Sequence, residues 1–333
     1  MRNSRQKSAV SWQRALLRFL CTVLAIILTV MVSITVYVET LFGKLGREET
    51  GTDSLIGAVT EYIPSNGSLI SSENTINIML VGTDLSEARS DTMILCTIDT
   101  GAKTVTLTSF LRDTYVDIPD YFPHKMNTSY ALDGFTTLNS TLAENFGVRV
   151  DGNVAISFDS FIRVVDIVGG VEIELTEEEV DYMMNTRWNG LDATGWELYP
   201  GVQRLNGDQA LAYSRIRDVE DSEGNYGDFG RTSRQRRVLS QMLRECRGLS
   251  VMQMNTLLNE ILPMVTTNLS SSQIISYGLD MLPILSDLTI QTRQIPAEGT
   301  YHLDWVDQDG GMSVIWVDDF DANRELLEQI IGN

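Results

Sequence analysis

An uncharged run of twenty residues, FLCTVLAIILTVMVSITVYV at 19–38, constrains this chain more than any other feature. At ~1.5 Å per residue a helix of that length spans about 30 Å, the thickness of a bilayer's hydrocarbon core. The residues before it hold Arg2, Arg5, Lys7, Arg14 and Arg18 and no acid. The expected topology is therefore one membrane crossing, with the basic tail in the cytoplasm and everything after Glu39 outside. A cleaved signal peptide and a buried core helix are the alternatives. The run is long for the first, and the following VYVETLFGK offers no small-x-small cleavage site.

Charge narrows the partners. The whole chain of 333 residues carries a formal net charge of −20, and removing the five tail cations leaves 20 Lys and Arg against 45 acids, a net of −25. Nucleic acid is excluded, because a phosphate backbone needs a basic face. With 43% hydrophobic residues and seven prolines, the chain can bury a sizeable core. Cys21, Cys96 and Cys246 are too few and too scattered for a disulfide framework, and with two histidines they give no zinc-ligand spacing. Three separate thiols are expected, with a Cys96 to Cys246 bridge as the alternative.

The expected organisation is a cytoplasmic tail at 1–18, a transmembrane helix at 19–38, an extracellular linker at 39–74 rich in Gly, Ser and Asn, and one domain at 75–333. Strands are expected at 76–82, 92–99, 103–111, 171–175, 287–295 and 312–317, where Val, Ile, Leu and Thr run between turn residues. Helices are expected at 134–147, 157–170, 176–185, 231–247, 250–265 and 321–331. The mixture, without any repeat, predicts a single α/β domain with a central mixed sheet and helices on both of its faces.

Three stretches carry chemistry. VGTDLSEARSDTM at 81–93 puts Asp84, Arg89 and Asp91 in one turn between two strands. Two carboxylates at a strand edge suit Mg²⁺, which takes one or two carboxylates and completes its shell with water and phosphate oxygens; an Asp-rich turn capped by its own side chains is the alternative. SFLRDTYVDIP at 109–119 leaves Arg112 and Asp113 at the end of a strand, where α/β sheets bind ligands. In RIRDVEDSEGNYGDFGRTSRQRR at 215–237, Arg215 and Arg217 would point to one side of an extended backbone, while Arg231, Arg234 and Gln235 share a helical face that continues into Val238 and Met242. Arginine offers planar bidentate donors and a permanent charge, which suits phosphate; a solvated face pairing arginines with nearby acids is the alternative. The glycine-rich, acidic DVEDSEGNYGDFG between the two halves is expected to be a mobile lid.

In order and spacing, GTDLSEARSDTM, SFLRD, KMNTSYALDG, VDIVGGVEIEL, GVQRLNGDQALAYSRIR and DFGRTSRQRRVL resemble the LytR-CpsA-Psr family of cell-wall glycopolymer ligases. The resemblance carries motifs over residues 76–239 and runs more loosely to the end. One departure is SFLRD, where many members carry a proline before the Arg-Asp pair. The resemblance implies a membrane-anchored, Mg²⁺-dependent phosphotransferase that moves a glycopolymer, such as teichoic acid or capsular polysaccharide, from a polyprenyl pyrophosphate carrier to a peptidoglycan hydroxyl. Arg89, Arg112, Arg215, Arg217, Arg231 and Arg234 would then meet the pyrophosphate, with Gln235 as a neutral donor. Asp84 and Asp91 would hold Mg²⁺, Asp84 would take the proton of the attacking hydroxyl, and Asp113 and Asp228 would orient the arginines. Residues 158–168 and the Val238, Leu239, Met242 stripe would line a slot for the lipid, unless that stripe is plain core.

Other features carry less. His124 and His302 are isolated, Ser109 has no nucleophile elbow, and DQDGG at 307–311 lacks the later ligands of a calcium loop. Two further function classes use the same features: a lipid pyrophosphatase with water as nucleophile, and a non-catalytic wall-binding or regulatory anchor.

Overall fold

Three adjacent strands that are apolar and buried along most of their length set the architecture. The computed structural model describes residues 62–65, 69–83, 90–188, 193–249, 251–281 and 287–332, with Thr40, Gly43, Gly46, Arg47, Leu191 and Ile284 besides. The strands are β1 (Gly46–Arg47), β2 (Thr75–Thr83), β3 (Ser90–Asp99), β4 (Thr104–Phe110), β5 (Tyr115–Val116), β6 (His124–Lys125), β7 (Gly152–Ser157), β8 (Val171–Leu175), β9 (Gly201–Leu205), β10 (Val265–Thr267), β11 (Thr289–Ile295), β12 (Tyr301–Val306) and β13 (Met312–Val317). The helices are α1 (Met126–Phe146), α2 (Phe158–Ile167), α3 (Glu177–Asn185), α4 (Gly207–Ser214), α5 (Gly227–Cys246), α6 (Val251–Ile261), α7 (Ser271–Met281) and α8 (Phe320–Ile331).

Seven strands form one mixed sheet in the order β1-β10-β7-β2-β3-β4-β11. β2, β3 and β4 are an antiparallel meander, while β7 joins β2 and β11 joins β4 in parallel. The C-terminal ends of β2, β4, β7 and β11 and the start of β3 therefore share one edge of the sheet. Two short hairpins, β8–β9 and β12–β13, stand outside it.

The period of two sends alternate side chains to opposite faces. Met79, Val81, Met93 and Leu95 pack against Leu138 and Leu142 of α1 and Leu327 of α8. Ile78, Ile94, Cys96 and Leu107 face the other way, toward Leu239 and Leu243 of α5 and Ile274 of α7. Each such side chain contributes roughly 1.5–3 kcal/mol when fully buried, so the sheet is covered by helices on both faces, as expected. A third cluster joins Val165, Ile173, Leu205 and Tyr213 to Val238 and Met242 of α5. Val238 and Met242 of the expected stripe are thus packed core, while Leu239 packs half-buried against the sheet.

Helix starts follow their caps. Ser157 caps α2, and reciprocal capping boxes start α3 at Thr176 with Glu179 and α4 at Asn206 with Gln209. α5 begins at Gly227, four residues before the expected start. From Gly46 onward the described residues form one compact unit. Cys96 and Cys246 are free thiols, so they do not bridge, and burial pushes the Cys96 pKa up to about 12. No helix among the described residues is long and apolar enough to cross a membrane, and the run at 19–38 lies outside them.

Candidate active site

The shared edge of the sheet collects charge. Asp91 is the second residue of β3, and Arg112 and Asp113 follow Leu111 just beyond the end of β4. Because β3 and β4 are antiparallel neighbours, the start of one meets the end of the other. Arg112 Nη1 donates to Asp91 Oδ1 at 2.6 Å. Its Nε lies 3.5 Å from Asp113 Oδ2 and 3.5 Å from Asp228 Oδ1. Lys125, at the end of β6, donates to Asp113 Oδ1 at 2.8 Å and fixes that carboxylate from the other side.

The remaining members arrive on the connection from α4 to α5. Arg217 carries its carbonyl to the N–H of Gly227 at 3.0 Å, so the intervening segment closes on itself. Asp221 organises it: its Oδ1 accepts from the backbone N–H of Glu223 at 2.9 Å and of Asn225 at 2.8 Å. Gly227, at φ 65, makes the left-handed step into α5 that a side chain would oppose. Gly230 lets the turn pack close, since a Cβ there would meet the Asn225 carbonyl oxygen at 2.5 Å. The segment expected to be a lid is thus tied by hydrogen bonds, and two backbone N–H groups satisfy the buried Asp221 carboxylate.

α5 then presents Asp228 and Arg231 one turn apart. Arg231 Nη2 lies 2.7 Å from Asp228 Oδ1, and Arg217 Nε reaches the same oxygen at 4.0 Å. Arg231 also donates to the Asp91 carbonyl at 3.3 Å. Arg112, Arg217, Arg231, Asp91, Asp113 and Asp228 therefore form one network at the sheet edge. Arg231 is 4% exposed at its side chain and Arg217 42%, so the cluster runs from the interior to solvent.

Its electrostatics are divided. Burial works against the charge on Arg112, but Asp228, Asp113 and Asp91 outweigh it and hold its pKa above the usual value. For Arg231 burial wins: with Arg112 and Arg217 also repelling it, its pKa is pushed down to about 10 despite Asp228. Both Asp228 carboxylate oxygens and the Nε atoms of Arg112 and Arg231 are buried yet make no hydrogen bond among the described residues. Close contact without hydrogen-bond alignment leaves donors that an additional anion can use.

The metal expectation is partly covered. Asp91 fits as one carboxylate ligand, with phosphate oxygens and water completing the shell. Among the described residues no cluster of three or more potential ligands stands with it. Asp84, the second expected ligand, and Arg89 lie outside the described residues.

Three expected positions fall elsewhere. Arg234 does not join the cluster: it is fully buried, its Nε bonds Glu179 Oε1 at 2.7 Å, and Nη2 bonds the Val219 carbonyl at 3.0 Å. Its charge is neutralised inside the fold, which corrects its assignment to substrate. Arg215 caps α4 with helical backbone (φ −105, ψ −6), so the extended alternation with Arg217 does not hold. Its guanidinium lies 5.3 Å from the ring centroid of Phe158, at the start of α2. Gln235 is half-buried on α5. Lys125 was not anticipated, although the sequence offered a signal: between residues 75 and 333 it and Lys103 are the only lysines, and every other Lys or Arg there is an arginine.

The profile of the LytR_cpsA_psr family matches residues 47–317. Biofilm regulatory protein A of Streptococcus mutans is 29% identical over 303 residues, covering 85% of this chain and 70% of that protein. The Enterococcus faecalis polyisoprenyl-teichoic acid–peptidoglycan teichoic acid transferase TagU is 30% identical over 213 residues, covering 61% of this chain and 63% of that protein. The solved structure of the LytR-CPS2A-psr family protein YwtF (TagT) with bound octaprenyl pyrophosphate lipid has the same fold, with a TM-score of 0.58 at 22% identity over 81% of this chain and 99% of that one. With its family profile matched over most of its length, the chain belongs to the LytR_cpsA_psr family.

Proposed function

We propose that this protein is a membrane-anchored phosphotransferase that moves a glycopolymer from a polyprenyl pyrophosphate carrier to a hydroxyl of peptidoglycan. The observation that carries the reading is the convergence of Arg112, Arg217 and Arg231 on Asp228, with the buried Nε donors of Arg112 and Arg231 left without hydrogen bonds among the described residues. Such an array favours a polyanion, and two relatives support the choice: TagU is a teichoic acid transferase and the TagT structure holds octaprenyl pyrophosphate. In the step envisaged, the acceptor hydroxyl oxygen bonds to the phosphorus next to the glycan. The bond from that phosphorus to the bridging oxygen breaks, and polyprenyl monophosphate leaves with its electron pair. The hydroxyl proton passes to a carboxylate, Asp84 in this scheme. Arg112 and Arg231 stabilise charge on the transferring group, Arg217 grips it from the solvent side, and Asp113 and Asp228 keep the guanidinium groups in place. Asp84 and Asp91 would hold Mg²⁺, which neutralises charge on the phosphates. The basic tail and the run at 19–38 would place this chemistry outside the membrane.

Full-length protein incubated with a synthetic polyprenyl-pyrophosphate glycan, Mg²⁺ and peptidoglycan fragments should yield a phosphodiester-linked product by mass spectrometry. Release of free glycan phosphate alone would favour the pyrophosphatase reading. No turnover, together with binding of wall fragments, would favour the regulatory anchor suggested by the name of the S. mutans relative. Asp84→Ala or Asp91→Ala should abolish Mg²⁺-dependent turnover, and undiminished turnover in EDTA would refute the metal role.

A further inference from the structure

A second surface adjoins the arginine cluster and has no part in the transfer step. Along β12 the side chains of Tyr301, Leu303 and Trp305 project to one side. Tyr301 stacks on Phe229, with centroids 5.5 Å apart and planes at 20°, and Phe229 is the residue after Asp228. Leu303 and Trp305 continue outward over about 13 Å of extended chain, and they are 66% and 65% exposed. On the facing strand Ile315 and Val317 are buried, so the open row belongs to β12. Trp305 is held in place: a Cβ at Gly311 would come within 2.5 Å of its ring. The indole therefore lies against Gly311 of the hairpin turn while the residue stays open to solvent.

Charge decides what such a row accepts. Residues 294–323 contain no Lys or Arg and seven acids, with Asp304, Asp307 and Asp309 on the hairpin itself. An anionic polymer and an anionic lipid headgroup are both repelled by that field. Three side chains also fall well short of the roughly 1,000 Å² that a stable protein interface needs. An uncharged sugar chain meets neither obstacle. The C–H face of a pyranose covers an aromatic ring, and its hydroxyls donate to carboxylate oxygens.

We infer that Tyr301, Leu303 and Trp305 seat the uncharged sugar rings of the acceptor glycan, an inference that rests on the transfer reading above. The acceptor then approaches along the acidic hairpin while the pyrophosphate approaches through the arginines, and the two meet where Phe229 adjoins Asp228. Each surface repels the other's ligand or offers it nothing.

The test uses full-length protein and three probes: an N-acetylglucosamine pentasaccharide, farnesyl pyrophosphate, and phosphatidylglycerol vesicles. Binding is followed by calorimetry and tryptophan fluorescence. Trp305→Ala is expected to weaken the pentasaccharide about tenfold or more, to leave farnesyl pyrophosphate unchanged, and to be partly rescued by Trp305→Tyr. The exposure of Trp305 lets the variant fold. A wild type that does not bind the pentasaccharide, equal binding by Trp305→Ala, or vesicle binding that requires Trp305 would each overturn the seat. Farnesyl pyrophosphate binding that is insensitive to Arg217→Ala would instead sink the transfer reading, while the pentasaccharide result decides the seat.

Discussion

Nη2 of Arg231 lies 2.7 Å from Oδ1 of Asp228, one turn earlier on the same helix. Arg112 and Arg217 reach the same oxygen at 3.5 and 4.0 Å. One carboxylate thus holds together three guanidinium groups that would otherwise repel each other, and it competes with any substrate anion for them. Asp228→Asn keeps the shape and removes the charge. We expect kcat to fall about 10- to 100-fold, because the donors lose their alignment, while KM for the lipid pyrophosphate stays level or falls, because a competing anion has gone. Steady-state kinetics separate the two. An unchanged kcat with a raised KM would mean that Asp228 binds substrate directly.

Arg217 offers the cleanest view of the substrate role, because its side chain is 42% exposed and its partner is distant. A pair that open contributes roughly 0–1 kcal/mol, so Arg217→Ala should shift Tm by no more than about 2–4 °C in a domain of this size. Turnover should nevertheless fall about 10-fold or more, since charge-assisted bonds to phosphate contribute roughly 1.5–3 kcal/mol each. Arg217→Lys should recover only part, because a point charge does not reproduce the planar fork. A variant with normal turnover and a large loss of Tm would make Arg217 structural.

Arg234 should behave in the opposite way. It and Glu179 are both fully buried, with Nε and Oε1 2.7 Å apart, and Glu179 also closes the capping box of α3. Arg234→Ala would leave an uncompensated buried carboxylate at a cost of about 3–5 kcal/mol. Arg234→Met combined with Glu179→Gln should recover much of that loss in a double-mutant cycle read by denaturant melts. Additive losses would show that the two residues are not coupled.

The strands of the sheet centre were legible because β2, β3 and β4 are apolar and Thr-rich runs bounded by turn residues, as a sheet buried on both faces requires, and Thr176 with Glu179 announces α3. What escaped was short or polar. β9 carries Gln203 and Arg204 among its five residues, and α4 is eight residues long behind an Asn cap, so neither shows a clear apolar period. β12 reads YHLDWV, whose exposed Leu303 and Trp305 hide its edge position. At the site, sequence order brought out Arg112, Arg217 and Arg231 but not which arginines are neutralised internally. Arg231 and Arg234 are three residues apart and chemically identical. Asp228 meets Arg231 because it lies three residues earlier on the same helix, whereas only the tertiary fold decides that Glu179 of α3 meets Arg234.

The turn that delivers Arg217 should give the site an acid limit. Burial alone would raise the Asp221 pKa, but hydrogen bonds from Ser233, from Asn225 and from the Glu223 backbone outweigh it and hold the carboxylate below its usual range. A folded pKa below the unfolded value of about 3.9 means that Asp221 contributes stability at every pH above that value and loses the contribution as pH falls through the folded one. Asp221→Asn has no such titration. The stability gap between wild type and variant, about 1–3 kcal/mol for charge-assisted bonds to buried donors, should stay constant from about pH 7 to 5 and close below about pH 4. Chemical melts at stepped pH measure it directly. A gap that persists undiminished near pH 2–3 would mean that the turn is held by its backbone hydrogen bonds, with the charge of Asp221 irrelevant to how Arg217 is presented.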